Sequence, residues 1–430
     1  MQGIIEIKWL VLAIAVLMYV FVLIFQEKKS LIALGAGLLL MILGVVSPRT
    51  VVTELINWNV LLIFLGSLII AELFIYSRVP ALIADSIVLG SPNVGIAMVA
   101  ILMMTGFISA FVENVATVLV MAPIALALCK KLAINPAYFM TGLAVMANLQ
   151  GTATLVGDPP SMIFADYAGY GFNDFFVFQG KPAVFFAVQI GMIAGSLFFY
   201  GYFRKQGKGK VRIEKEKALT MVPSVLLICM IAGLAAASFV FGGLTYASGF
   251  LVMGLGLAGL FWYGLIRKEG IKNTGELIKN LDWDTTLFLA GIFVVVGAVS
   301  SVGLLEDFAA LLNSVIGDNV LLGFVLILAV STVISGFVDN VPYIIIMLPV
   351  ASRLAADLGL RPELYMFALL IGSCMGGNLT PFGASANVVA LGLLRKQNVN
   401  LTFWQWLKIG APFTVITIAA SSLFIWLIWR

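Results

Sequence analysis

Apolar stretches of about twenty residues recur along the whole chain, and short polar or basic segments separate them. A helix needs about twenty mostly apolar residues to cross the hydrocarbon core of a bilayer. The spacing therefore predicts a protein that crosses the membrane many times. The predicted spans lie at 8–26, 31–47, 58–77, 93–112, 182–203, 219–240, 247–267, 285–303, 319–337 and 409–429.

The composition agrees with a membrane protein. Of the 430 residues, 62% are hydrophobic and 11% are charged, whereas a soluble domain carries roughly 25% charged residues. The net charge of +4 comes from short basic clusters between apolar runs, a pattern typical of cytoplasmic loops rather than of a nucleic-acid-binding surface. The chain contains no histidine, so any proton coupling must rely on carboxylates. We expect no cofactor and no metal site, because the three cysteines lie far apart in the sequence.

Four further apolar segments are interrupted by helix-breaking residues. The stretches 138–165 and 363–395 contain Gly, Pro, Asn and Thr, and we interpret each as a broken helix. The stretches 113–131 and 339–357 each carry a proline near the middle and are predicted to be re-entrant hairpins. Non-helical backbone at membrane depth is stable only where protein or a water-filled cavity satisfies it.

The two halves of the chain resemble each other. At one constant offset, without a gap, Asn114 falls on Asn340, Pro123 on Pro349 and Gly151 on Gly377. Coincidence of apolar composition does not explain matched Asn, Pro and Gly residues. The sequence therefore predicts a first repeat at 1–203, a basic cytoplasmic linker at 204–218 and a second repeat at 219–430.

Corresponding breaks in a duplicated chain are the best sequence indication of a transporter binding site. A helix that ends inside the membrane exposes unpaired N–H or C=O groups, which can hold an ion or a polar solute. Three acids beside the breaks, Glu113, Asp158 and Asp339, are the candidates for proton coupling, because charge inside a membrane is expensive and usually functional. An alternative role for them is to cap helix N-termini.

The segments FVENVATVLVMAPIAL, GTATLVGDPPSMI, FVDNVPYIIIMLPVA and GGNLTPFGASANVV resemble the paired motifs of the ion transporter superfamily. They look most like the ArsB and P-protein permeases, with NhaD-type antiporters and citrate and dicarboxylate carriers as relatives. The resemblance implies an all-α polytopic fold with two inverted repeats, about 11 or 12 transmembrane helices, two re-entrant hairpins and two broken helices. It implies a substrate- or ion-binding region formed by Asn114, Thr117, Thr152, Thr154, Asn340, Asn378, Thr380 and Asn387, together with Asp158.

The chain departs from the dicarboxylate carriers at the hairpin tips. Those carriers have Ser-Asn-Thr, where this chain has Glu113-Asn114-Val115 and Asp339-Asn340-Val341. The added carboxylates repel a dianionic solute unless they are protonated or paired with cations. We therefore expect proton-coupled efflux of arsenite or antimonite. The alternatives are a sodium/proton antiporter and a sodium-coupled citrate or dicarboxylate transporter.

Other classes fit the sequence less well. Two occluding hairpins argue against a channel, and no nucleophile or metal constellation indicates an enzyme. No phosphate-binding loop is present, so coupling to H⁺ or Na⁺ is expected unless a separate ATPase subunit attaches. The other expected partners are a small inorganic solute or ion, the bilayer of the cell inner membrane and, from the resemblance alone, a second copy in a homodimer.

The predicted spans conflict with inversion. Six crossings separate the two predicted hairpins, and an even number makes the repeats parallel. We adopt the inverted arrangement, with one segment within 219–267 not crossing completely.

Overall fold

The computed structural model describes residues 2–204, 216–240 and 246–430. Within these ranges the chain is almost entirely helical, which confirms the predicted all-α polytopic fold. The strands in this part of the chain are β1 (Val177–Phe178) and β2 (Lys181–Pro182), which pair antiparallel. Of the linker predicted at 204–218, residues 205–215 lie outside the described residues.

The helices of the first half are numbered in chain order. They are α1 (Gln2–Ile24), α2 (Lys29–Ile42), α3 (Pro48–Thr50), α4 (Trp58–Tyr76), α5 (Val79–Gly90), α6 (Val94–Ser109), α7 (Asn114–Leu132), α8 (Ala137–Gly151), α9 (Pro159–Ala168) and α10 (Val184–Phe203). Two 3₁₀ turns occupy Gln26–Lys28 and Phe172–Phe175, and a π-helical turn occupies Val51–Leu55.

The helices of the second half correspond to those of the first in the same order, so that α14 matches α4 and α17 matches α7. They are α11 (Val222–Val240), α12 (Ala247–Phe261), α13 (Gly270–Asn280), α14 (Trp283–Ser301), α15 (Leu304–Ile316), α16 (Val320–Ser335), α17 (Asn340–Asp357), α18 (Pro362–Gly376), α19 (Ser385–Lys396) and α20 (Phe403–Trp429). A π-helical turn at Trp262–Ile266 extends α12. By length and composition, 8 helices of the described ranges can each cross a membrane.

The two halves are interleaved through equivalent glycines. Helix α4 packs on α12, and its counterpart α14 packs on α2. A Cβ added at Gly66 would lie 2.7 Å from the backbone nitrogen of Met253, and one added at Gly291 would lie 2.7 Å from the backbone nitrogen of Leu34. Small residues allow helix backbones to approach this closely. The duplication therefore appears in the packing as well as in the sequence.

Each hairpin is longer than the segment that the sequence predicts for it. Residues 113–131 and 339–357 are not hairpins by themselves, because α7 and α17 each run without interruption through Pro123 and Pro349. Each hairpin instead consists of two helices joined by a short turn, α6 with α7 and α16 with α17. The arms α6 and α16 are the segments predicted as spans 93–112 and 319–337. A hairpin arm and a full span are equally apolar, so hydropathy does not separate the two.

This assignment removes the conflict in the topology. Both segments of 219–267 are long enough to cross, as α11 and α12 extended to Ile266, so their length gives no reason for the incomplete crossing expected there. The surplus segment is α16, because it is a hairpin arm. Five crossings then separate the hairpins: the broken helix α8–α9, followed by α10, α11, α12 and α14. An odd number places the repeats in opposite orientations.

Candidate functional site

Each hairpin tip is attached to the break in the helix that follows it. The Thr154 hydroxyl donates to the carbonyl oxygen of Ala110 at the first tip. The Thr380 hydroxyl donates to the carbonyl oxygen of Gly336 at the second tip. These four positions are equivalent in the two repeats. The breaks lie at 152–158 and 377–384, between α8 and α9 and between α18 and α19, as the sequence predicted for the two broken helices.

Glycine is required where the tips and breaks meet. A Cβ at Gly151 would lie 2.4 Å from Oδ1 of Asn114. The Asn114 side chain is held there by the Ser109 hydroxyl, which donates to the same Oδ1 over 2.6 Å. At each break, the chain folds back so closely that a Cβ at Gly157 would meet the carbonyl oxygen of Gly151, and one at Gly383 would meet that of Gly377. The glycines therefore permit the compact, non-helical path.

A cluster of buried asparagines joins the two repeats at the centre. Nδ2 of Asn148 on α8 donates to Oδ1 of Asn378 and to Oδ1 of Asn387, at 2.9 Å each. Nδ2 of Asn387 donates in turn to the carbonyl oxygens of Gly377 and Thr380, also at 2.9 Å. Asn148 is not among the site residues predicted from the sequence. Its counterpart in the second repeat is Cys374, so the two repeats do not match at this position.

Two of the three predicted coupling acids are helix caps. Oε2 of Glu113 accepts from the backbone N–H of Ala116 over 2.9 Å. Oδ1 of Asp339 accepts from the backbone N–H of Val341 over 3.1 Å. The capping role that the sequence analysis left open is therefore present at both hairpin tips.

Asp158 differs from these two caps. It stands at the N-cap of α9, but its side chain makes no capping hydrogen bond. The next two residues are Pro159 and Pro160, which have no backbone N–H to donate. Its carboxyl group instead faces the amides of Asn114 and Asn340, one from each hairpin tip. Asp158 is 8% exposed, and its counterpart in the second repeat is Ala384.

These residues meet at a cavity of about 450 Å³. Both hairpin tips, the start of α9, the start of α19 and the start of α14 contribute to its wall. The polar lining residues are Glu27, Lys29, Glu113, Asn114, Asn148, Asp158, Asp282, Asp284, Thr285, Asp339, Asn340 and Ser385. The walls also contain apolar side chains such as Phe64 and Phe382. A cavity of this size holds a small solute.

Four charged lining residues were not predicted from the sequence: Glu27, Lys29, Asp282 and Asp284. Nζ of Lys29 lies 3.5 Å from Oδ2 of Asp339. Oδ1 of Asp282 caps α14 by accepting from Thr285 N–H over 2.9 Å, and Oδ1 of Asp284 accepts from the Ser30 hydroxyl. All four stand at or just before the starts of α2 and α14, and the packing of α2 on α14 and of α14 on α17 brings these starts to the hairpin tips.

The other predicted binding residues do not line the cavity. They are fully or almost fully buried, and their side chains bond to backbone or to one another; they are Thr117, Thr152, Thr154, Asn378, Thr380 and Asn387. Of the predicted site residues, the structure therefore brings Glu113, Asn114, Asp158, Asp339 and Asn340 to the cavity. A binding role for the remaining six stays a prediction.

The acids of the cavity do not form a dense metal site. Within residues 2–204, 216–240 and 246–430, no three His, Cys, Asp or Glu side chains converge as metal ligands do. Cys374, a soft ligand for arsenic(III), is 1% exposed and is not among the lining residues. The arrangement can instead hold a polar solute between amides, backbone and carboxylates.

Comparison with known proteins places the chain among membrane transporters. The model of a family described as citrate transporters matches residues 19–372 and 323–430. An uncharacterized transporter of Mycobacterium tuberculosis is 32% identical, with 97% of this chain and 98% of the relative aligned. The P protein of Homo sapiens is 24% identical over 94% of this chain and 58% of its own length. These matches agree with the ion transporter superfamily but do not select the ArsB branch.

Two solved transporters share the fold. The YdaH transporter of Alcanivorax borkumensis superposes with a TM-score of 0.59 at 15% sequence identity, covering 88% of this chain and 87% of that one. MtrF of Neisseria gonorrhoeae, described with a class of antimetabolite efflux pumps, gives a TM-score of 0.56 over 90% of this chain and 84% of that one. This likeness concerns the fold alone; the family match and the relatives named as transporters agree with a multi-pass protein of the inner membrane.

Proposed function

The chain belongs to the citrate transporter family, and on that premise we propose that this secondary transporter couples the movement of a small carboxylate solute to a proton carried by Asp158. One observation supports this most directly. Asp158 is a buried carboxyl group that caps no helix and faces an asparagine from each hairpin tip. A proton on Asp158 therefore changes the charge at the point where the two repeats meet.

Asp158 suits this role better than the other two acids do. Glu113 and Asp339 each have one oxygen that accepts a hydrogen bond from a helix N-terminus, where a negative charge is stabilised. Asp158 lacks that stabilisation, and burial in a low-dielectric site disfavours its charge. Asp158 can therefore gain or lose its proton as the solute binds or leaves the cavity.

The charge balance of the cavity bears on the solute. The acidic hairpin tips repel a carboxylate solute unless a cation or a proton neutralises them. Lys29 supplies such a cation beside Asp339, and the family is named for citrate transport. Arsenite and antimonite remain the second candidate, because the lining carboxylates outnumber Lys29 and a neutral solute avoids their repulsion. Cys374, buried outside the cavity wall, gives arsenic(III) no thiol ligand there.

Transport by the purified chain in proteoliposomes separates the candidates. We expect citrate to accumulate when an inward proton gradient is imposed and no sodium is present. Arsenite flux driven by the same gradient, without citrate flux, would favour the metalloid exporter. Citrate accumulation driven only by a sodium gradient would favour sodium coupling, and sodium-dependent collapse of the proton gradient without solute flux would identify a sodium/proton antiporter.

A matched acid provides the control. Asp158→Asn removes the carboxylate from the cavity, and we expect it to abolish gradient-driven accumulation. Glu54→Gln removes an exposed carboxylate and should leave accumulation unchanged. The proposal includes no catalytic step, and a homodimer and a separate ATPase subunit stay predictions.

A further inference from the structure

Lys29 occupies an unusual place in the cavity. Among the lining residues in the described ranges it is the only lysine or arginine. Its side chain is 13% exposed, and its Nζ lies 3.5 Å from Oδ2 of Asp339 and 5.2 Å from the ring centre of Phe288. Lys29 begins α2, which packs on α14, whereas Asp339 stands at the tip of the second hairpin. The ion pair therefore joins two separate parts of the molecule across the cavity.

From this geometry we infer that Lys29 determines specificity by changing partner: it pairs with Asp339 in the empty cavity and with a carboxylate of the solute when the solute is bound. The inference rests on the proposed function and deepens it. The ion pair with Asp339 is exchanged for one with the solute, and the ammonium group keeps its charge throughout. When the solute leaves, the original pair forms again.

The charged neighbours explain why Asp339 is the partner that changes. Asp282 and Asp284 face Lys29 from α14, but the first caps that helix and the second accepts from Ser30 beside Lys29. Both are thus fixed on the same side of the cavity as Lys29. Their negative charges keep Lys29 as an ammonium group after it leaves Asp339.

The remaining titratable neighbours do not substitute for Asp339. Glu113 interacts with Lys29 from the first hairpin but forms no salt bridge with it within the described ranges. Glu27 precedes α2, lines the cavity and is exposed. Tyr19 on α1 faces Asp339, and its buried hydroxyl has no hydrogen-bond partner in the described ranges. That hydroxyl is available to Asp339 when Lys29 pairs with the solute.

The arrangement is asymmetric between the repeats. Helix α12 corresponds to α2, and the residue that begins it is Ala247 rather than a lysine. Among the described residues, Glu113 at the first hairpin tip forms no salt bridge, although the acids themselves are matched. A cation retained beside one of two matched acids indicates a role in binding an anion rather than a general need to neutralise the tips.

Binding of citrate to the full chain in detergent tests the inference. Affinity is measured by titration calorimetry at one pH for the wild type, Lys29→Gln, Lys29→Arg and Asp339→Asn. We expect Lys29→Gln to weaken citrate binding at least about tenfold, since a charge-assisted hydrogen bond is lost. Lys29→Arg should retain most of the affinity. Lys28→Gln, which removes the exposed neighbouring charge, should bind as the wild type does.

Asp339→Asn identifies the exchange of partners. In the wild type, Asp339 competes with citrate for Lys29. Asp339→Asn removes this competitor, so its affinity for citrate should exceed that of the wild type by about tenfold. An asparagine can still cap α17.

Three results would overturn the inference. The first is wild-type affinity for citrate in Lys29→Gln, the second is no citrate binding by the wild type, and the third is equal affinity for citrate in Asp339→Asn and the wild type. The proposed function fails separately, because it requires accumulation driven by a proton gradient and loss of that accumulation in Asp158→Asn. Citrate transport driven by protons with unaltered binding in Lys29→Gln would keep the proposed function and remove the role of Lys29.

Discussion

At the scale of single residues, the acids of the cavity differ in which N–H groups their oxygens reach. Glu113, Asp158 and Asp339 stand beside helix breaks, and the structure brings all three to the cavity. The sequence does not separate the two caps from Asp158, because that distinction depends on which backbone N–H groups each carboxylate reaches. Lys29 escapes sequence reasoning because its partner Asp339 is remote in the chain and no motif surrounds it.

Gly151 offers a test of the contact between the first tip and its break. Gly151→Ala places a methyl group against the side chain of Asn114, so the tip must move. We expect a loss of stability of about 1–3 kcal/mol, typical of overpacking, and a lower melting temperature in detergent. Gly254→Ala, where an added Cβ meets nothing within 4 Å, is the matched control and should melt as the wild type does. Equal melting temperatures for both variants would contradict the close contact.

At the scale of elements, hydropathy finds helices but not their roles. The breaks at 152–158 and 377–384 are predictable because Gly and Pro have local backbone consequences. The hairpin arms α6 and α16 are not, because a hairpin arm is as apolar as a true span. The asparagines and threonines predicted to bind the solute mostly hold tips and breaks together. Neutral polar side chains serve both purposes, and the sequence alone does not choose.

The attachment of tips to breaks predicts paired effects. Thr154→Val and Thr380→Val each remove the hydroxyl that donates to the opposing tip carbonyl and leave that carbonyl unsatisfied. We expect each to lower stability by about 1–3 kcal/mol and to impair transport. Thermal unfolding and proteoliposome flux measure the two effects. Thr53→Val removes an exposed hydroxyl that bonds to Arg49, where water can replace it, and should leave both measurements unchanged.

At the scale of the whole molecule, the duplication governs the architecture. Equivalent glycines pack α4 on α12 and α14 on α2, so each half is packed closely against the other. The repeat is readable from the sequence because Asn, Pro and Gly positions match at one offset. The orientation of the repeats becomes clear only when α16 is assigned as a hairpin arm, which leaves an odd number of crossings between the hairpins.

Inversion predicts that equivalent loops face opposite sides of the membrane. Pro92 and Asp318 are exposed and occupy the turns before α6 and α16. In a chain whose cysteines have been replaced by serine, Pro92→Cys and Asp318→Cys should react with a membrane-impermeant maleimide from opposite sides. Reaction of both from the same side would contradict the inverted arrangement.

The central claim is that Asp158 carries the coupling proton, and solute exchange compared with accumulation tests it most directly. In proteoliposomes without a gradient, the exchange of labelled for unlabelled citrate requires only that the loaded carrier reorients. Asp158→Asn mimics the protonated carboxyl, so we predict exchange at a rate similar to that of the wild type and no accumulation under a proton gradient. Proton-driven accumulation by Asp158→Asn at the wild-type level would contradict the account.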